Sequence, residues 1–153
     1  MGKILLKKMI GNYRNKLDDK YRLAIPAKLR TQLGSSIVIS AGFDNTLEIR
    51  TKKEFEVWME TLTSKGNLSS NARKLSRMIL GNSFEVNLDK AGRALLPKEL
   101  LTMVGIKKEA ILVAVGDKIE VHAAEQWDKL MFDSKSLSKS LEEMADELAK
   151  EFK

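Results

Sequence analysis

One stretch of the chain occurs twice. Leu17–Gly34 reads LDDKYRLAIPAKLRTQLG, and 71 residues further on Leu88–Gly105 reads LDKAGRALLPKELLTMVG. Seven of the 18 positions are identical: Leu17/Leu88, Asp18/Asp89, Arg22/Arg93, Pro26/Pro97, Leu29/Leu100, Thr31/Thr102 and Gly34/Gly105. Pro26 and Pro97, the only two prolines, fall in the same slot of the two copies. Asp, Arg, Pro and Gly each carry a distinct backbone or charge role, so their joint recurrence marks a duplicated unit. Each copy reads as strand, Asp-led turn, strand and one short helix. Proline sits where the helix starts and glycine where it stops.

At 153 residues the chain makes one domain or two very small ones. A half of about 70 residues is marginal alone, which favours two halves sharing one core. With no cysteine, disulfides and thiolate metal sites are excluded. The sequence also lacks a signal-peptide pattern and an apolar run of spanning length.

The net charge of +6 is unevenly placed. Residues 1–30 hold nine basic side chains against Asp18 and Asp19, whereas the remaining 123 residues sum to −1. A basic N-terminal face on a neutral body fits a polyanionic partner, or simply a solvated lysine surface.

Met1–Lys8 has no counterpart in the second copy; it reads as a basic arm or as extra residues ahead of a start at Met9. Ile10–Leu17 and Ser83–Leu88 are the expected first strands of the two copies. Ile37–Ala41 and Leu47–Arg50 form an expected hairpin, answered by Ala110–Val115 and Ile119–His122. A helix follows each hairpin, with Phe55, Trp58, Met59 and Leu62 expected as core anchors on one, and Trp127, Leu130 and Met131 on the other. Another helix over Ser69–Leu80 carries Arg73 and Arg77 on one side. Ser136–Phe152 is amphipathic, and its stripe of Leu137, Leu141, Met144, Leu148 and Phe152 must cover the body or a neighbouring subunit. The organisation expected is a first half at 9–63, a linker and inter-repeat helix at 64–80, a second half at 81–133 and a C-terminal helix at 134–153.

Enzymatic signals are weak. The single histidine, His122, ends an expected strand and reads as a structural residue. Neither a phosphate-cradling glycine loop nor a distinctive carboxylate pair is present, so no catalytic residue, metal site or cofactor is expected. The recurring constellation is the Asp–Arg turn. Asp18 and Asp89 are suited to capping backbone N–H groups and to orienting Arg22 and Arg93 by charge-assisted bonds. Arginine suits bidentate reading of guanine edges, and lysine suits phosphate neutralisation.

The pair LDDKYRLAIP and LDKAGRALLP resembles the duplicated Asp-x-x-x-Arg signature of the MraZ family. Met9–Gly11 resembles that family's opening and Leu80–Asp89 its inter-repeat segment, so the likeness runs from about Met9 to Leu130. The resemblance implies an α+β fold: a duplicated AbrB-like (SpoVT-AbrB) swapped-hairpin β-barrel with flanking helices. It implies a sequence-specific DNA-binding regulator of the division and cell wall gene cluster, cytoplasmic and nucleoid-associated, acting as a ring homo-oligomer on promoter repeats. Carried over by position, the motif residues are Asp18 and Arg22, then Asp89 and Arg93, with Lys20 matching the motif lysine. Arg22 is the expected base reader and Lys20, Arg14 and Lys28 the phosphate contacts, while Arg93 has the alternative of serving the barrel and subunit interface. Pro26, Pro97 and Gly92 are the structural residues of the motif.

Two positions depart from the pattern. Tyr21 stands where the family has glycine, so the first turn holds either a strained tyrosine or a different turn type, and Tyr21 itself is placed to touch the DNA backbone. Ala91 stands where the first copy has Lys20. The alternative function is an oligomeric interaction module whose basic face binds an acidic protein. A steep salt dependence on promoter DNA separates the two readings.

Overall fold

The computed structural model describes residues 8–152 apart from 65, 67 and 133–136. The expected N-terminal arm up to residue 7 therefore lies outside the described residues. In chain order the elements are β1 (Met9–Lys16), β2 (Arg22–Ala24), α1 (Ala27–Leu33), β3 (Ser36–Ala41), β4 (Leu47–Thr51), α2 (Lys52–Thr63) and α3 (Ser70–Leu80). The second half follows as β5 (Ser83–Asn87), β6 (Arg93–Leu95), α4 (Lys98–Val104), β7 (Glu109–Gly116), β8 (Ile119–Ala123), α5 (Ala124–Phe132) and α6 (Leu137–Glu151).

The fold is mixed α+β, and its two halves interleave. Six strands form an antiparallel sheet in the order β1-β7-β8-β4-β3-β5, and β2 pairs with β6 in a separate two-stranded sheet. The first strand of each half thus pairs with the hairpin of the other half. Equivalent residues meet at two places: Glu48 opposite Glu120 in β4–β8, and Leu23 opposite Ala94 in β2–β6. A local twofold relation between the copies runs through both pairs.

This pairing makes one core of both copies. Leu23, Leu29, Ile39 and Ile49 from the first half share a cluster with Leu96, Leu100, Leu112 and Val121 from the second. Alternation along the strands sends their other residues to the opposite face, against α2, α3 and α5. There Glu48 is only 1 % exposed; it contacts Arg50 at 2.8 Å and accepts a 3.0 Å hydrogen bond from Lys118 Nζ. Arg50 in turn lies 4.8 Å from the centre of the Trp58 ring. A buried carboxylate persists only when paired, and two cations pair this one.

That charged layer corrects the expectation for the hairpin helices. Phe55 and Leu62 are buried, but Trp58 is half-buried against Arg50 and Met59 is exposed. No residue of α5 is buried: Trp127 and Met131 are half-buried and Leu130 is exposed. Trp127 stands edge-on to His122, which is buried with Nε2 2.9 Å from Glu120. These aromatics cover a polar sheet face instead of filling the core. Leu141, Met144 and Leu148 of α6 and Phe152 just beyond it are all more than half exposed, so the body does not cover the stripe. The side chain of Leu137 lies outside the described residues.

Candidate nucleic-acid interface

Each copy of the motif folds into a three-residue hairpin loop. Tyr21 N–H donates to the Asp18 carbonyl (3.0 Å) and Asp18 N–H to the Arg22 carbonyl (3.0 Å); the second copy repeats these bonds from Gly92 to Asp89 and from Asp89 to Arg93. The last loop residue has positive φ in both, +62° at Tyr21 and +77° at Gly92. The two turns are therefore of one type, a first turn closed by a left-handed residue that matches the twist of the flanking strands. Of the two expectations for Tyr21, the strained one holds: a non-glycine residue here costs about 1–3 kcal/mol.

The aspartate explains the four-residue spacing to arginine. One oxygen of Asp18 accepts from the backbone N–H of Lys20 (2.9 Å) and of Arg22 (2.8 Å), and the other accepts from Arg22 Nε (2.8 Å). Asp89 does the same for Ala91, Arg93 and Arg93 Nε, at 2.9, 2.8 and 2.8 Å. Both carboxyls are held below the ordinary aspartate range, chiefly by the arginine backbone N–H; desolvation opposes this as the next largest effect, and the arginine side chain lowers them further. With Nε held, each guanidinium has its direction fixed.

The structure brings the two motifs together. Pairing of β2 with β6 sets Arg22 opposite Leu95 and Ala24 opposite Arg93. The loops lock across the copies: Ile25 N–H donates to the Gly92 carbonyl (3.0 Å) and Leu96 N–H to the Tyr21 carbonyl (2.9 Å). Arg93 Nη1 also lies 3.5 Å from Asp18 Oδ2, so Asp18 faces both arginines. Arg22 and Arg93 are about equally accessible, with side chains 30 % and 35 % exposed. The second motif is thus part of the same surface as the first, not a remote piece of scaffold.

The other expected residues fall as follows. Lys20 is exposed on the first loop and Lys28 is exposed on α1. Tyr21 is 39 % exposed, with Lys98 Nζ 5.5 Å from its ring centre. Pro26 and Pro97 immediately precede α1 and α4, and their carbonyls accept the first helical bonds, from Leu29 and Arg30 and from Leu100 and Leu101. Arg14 is not with the turns: its guanidinium bonds Asp128 of α5 at 2.6 Å and Glu109 of β7 at 3.4 Å. Its guanidinium is held more firmly protonated by those carboxylates, Asp128 first.

By sequence Arg30 groups with Asp18 of the first motif and Lys98 with Asp89 of the second, and the structure exchanges them. Each sits on the helix of one copy and touches the loop of the other, Arg30 at Ala91 and Lys98 at Tyr21. No spacing signal along the chain reports a contact made across the two copies.

The family model "MraZ protein, putative antitoxin-like" matches residues 9–78 and again residues 79–148. Curated relatives named "Transcriptional regulator MraZ" align over most of the chain. The one from Mycoplasma mobile is 42% identical over 122 residues, which cover 80% of this chain and 84% of the relative. The relative from Mycoplasmoides gallisepticum is 39% identical, covering 81% and 89%. That from Natranaerobius thermophilus is 32% identical over 139 residues, covering 91% and 95%.

Proposed function

The chain belongs to the MraZ family, and from that premise we propose that it is a sequence-specific DNA-binding regulator of transcription. The observation that carries this reading is the juxtaposition of two aspartate-latched arginines, Arg22 and Arg93, on one exposed face. With Nε committed to aspartate, the two terminal nitrogens of Arg22 meet no carboxylate among the described residues and form a donor pair, while Arg93 keeps Nη2 beside an Nη1 that faces Asp18 at 3.5 Å. Such a pair matches the O6 and N7 acceptors of guanine in a major groove. Asp18 and Asp89 hold the forks rigid, which reduces the ordering cost on binding.

Lys20 and Lys28 serve phosphates beside the base-reading pair, and Tyr21 offers its ring and hydroxyl to the backbone. In this reading Arg14 serves the contact of β1 with α5 through Asp128 and Glu109. The interleaved strand order supports a swapped-hairpin barrel of the AbrB type, with both halves of the chain standing for two subunits. The operator is a set of repeats upstream of the division and cell wall gene cluster, read in the cytoplasm at the nucleoid. Copies of the chain form a ring, to which the uncovered apolar stripe of α6 contributes contact area. Several weak turn–DNA contacts then add through effective concentration.

A gel shift with the DNA upstream of its own gene, beside DNA with scrambled repeats, tests the reading. Arg22→Ala should abolish the preference for the repeat DNA while native mass spectrometry shows an intact assembly. Equal binding of the wild type to both DNAs refutes sequence reading. Loss of the assembly in the variant assigns Arg22 to structure.

A further inference from the structure

The second turn lacks the lysine of the first, since Ala91 aligns with Lys20. Yet a cation stands there. Arg30 leaves α1 of the first half, and its Nη1 donates to the Ala91 carbonyl at 3.4 Å. Its stem and guanidinium lie directly on Gly92: a Cβ built there would stand 2.6 Å from both Cδ and Cζ of Arg30. Gly92 is buried by this contact. The slot that the Tyr21 side chain occupies in the first turn is filled in the second by an arginine from the other copy.

Resting on the DNA-binding reading above, we infer that Arg30 is a phosphate-contacting residue of the second turn, supplied from the opposite half. Three features support the role. The guanidinium is anchored at Ala91, the position that Lys20 holds in the first turn. It meets no carboxylate among the described residues, in contrast to Arg14, Arg22 and Arg93, so its charge is left for an external anion. It also stands on the second loop, beside the latched Arg93, where a strand read by Arg93 would bring its phosphates. Each reading turn is thereby built from both copies: Lys20 and Tyr21 with Lys98 in the first, Lys90 and Gly92 with Arg30 in the second.

Arg30→Gln keeps most of the stem and a donor for the Ala91 carbonyl but removes the charge. Binding of the full chain to repeat-containing promoter DNA, titrated over a range of salt, should then show a log–log slope shallower by about one, the loss of one phosphate contact. Arg30→Lys should keep the wild-type slope. An unchanged slope in a folded Arg30→Gln protein overturns the inference, whereas a wild type without any steep salt dependence overturns the DNA reading itself. A readout independent of variant folding is modification of the wild type by an arginine-selective dicarbonyl, located by mass spectrometry. Bound DNA should protect Arg30, and equal labelling with and without DNA also overturns the inference.

Discussion

Arg93 of the second repeat reaches Asp18 of the first, Nη1 to Oδ2, at 3.5 Å, while Asp18 also holds Arg22 through Nε at 2.8 Å. Asp89 faces only its own Arg93 among the described residues. The two aspartates therefore differ in how many reading groups they orient. Asp18→Asn should weaken specific DNA binding more than Asp89→Asn. The first change releases Arg22 and removes the second anchor of Arg93, which Asp89 still holds through Nε, and charged hydrogen bonds of this kind are worth roughly tenfold in affinity each. Fluorescence anisotropy on the promoter repeats checks the order; equal losses would show that the 3.5 Å contact orients nothing.

The same carboxylates give the fold an acid sensitivity of known sign. Their folded-state pKa values lie below the ordinary 3.8, so the folded state binds protons less readily than the unfolded chain. Their stabilisation is fully present above that ordinary value and disappears as pH falls through the depressed folded-state values. Urea midpoints should therefore drop on acidification through this window. The double variant Asp18→Asn/Asp89→Asn should show a flatter dependence there and an unchanged slope near neutrality.

Backbone strain separates the two loops. Gly92→Ala places a side chain at φ +77° and against Arg30, and should destabilise by about 1–3 kcal/mol. Tyr21→Gly removes strain at φ +62° but loosens the unfolded chain, so stability should change by less than ~1 kcal/mol. Denaturant unfolding of both variants measures this. A large loss in Tyr21→Gly would mean that the ring's contact with Lys98 outweighs its strain.

Leu23 is fully buried where equivalent residues of the two copies pair, so Leu23→Ala should cost about 2–5 kcal/mol. Because both halves contribute to one core, the protein should still unfold in a single transition. Two separated transitions in calorimetry would show that the halves are independent.

Much of this architecture was readable along the chain. The Asp-to-Arg spacing, the prolines at helix starts and the hairpins are local matters, decided by residues a few positions apart. Strand partners were not readable. The alternation in β1 is satisfied equally by β7 of the other half or by a strand of its own half, and only the assembled core decides. Charge was misleading for a related reason. Counted along the chain, the basic segment ends at Arg30 and the second motif looks neutral. In space Arg30 lies on that second motif, and Arg93 faces Asp18. The half-buried Trp58 and Trp127 were misjudged because apolar spacing on a helix does not reveal what it packs against, here a charged sheet face.

The pairing of Leu23 with Ala94 has a consequence for how such a chain can change. In a dimer of identical polypeptides, every substitution appears on both sides of the axis, so a residue useful in one loop is imposed on the other. Joined in one polypeptide, the two loops are free to drift apart. Tyrosine at position 21 needs open space, whereas position 92 must stay bare for Arg30. Glycine serves in either loop, but tyrosine only in the first, because Arg30 fills its place in the second. Covalent linkage has turned a symmetric pair into two distinguishable fingers.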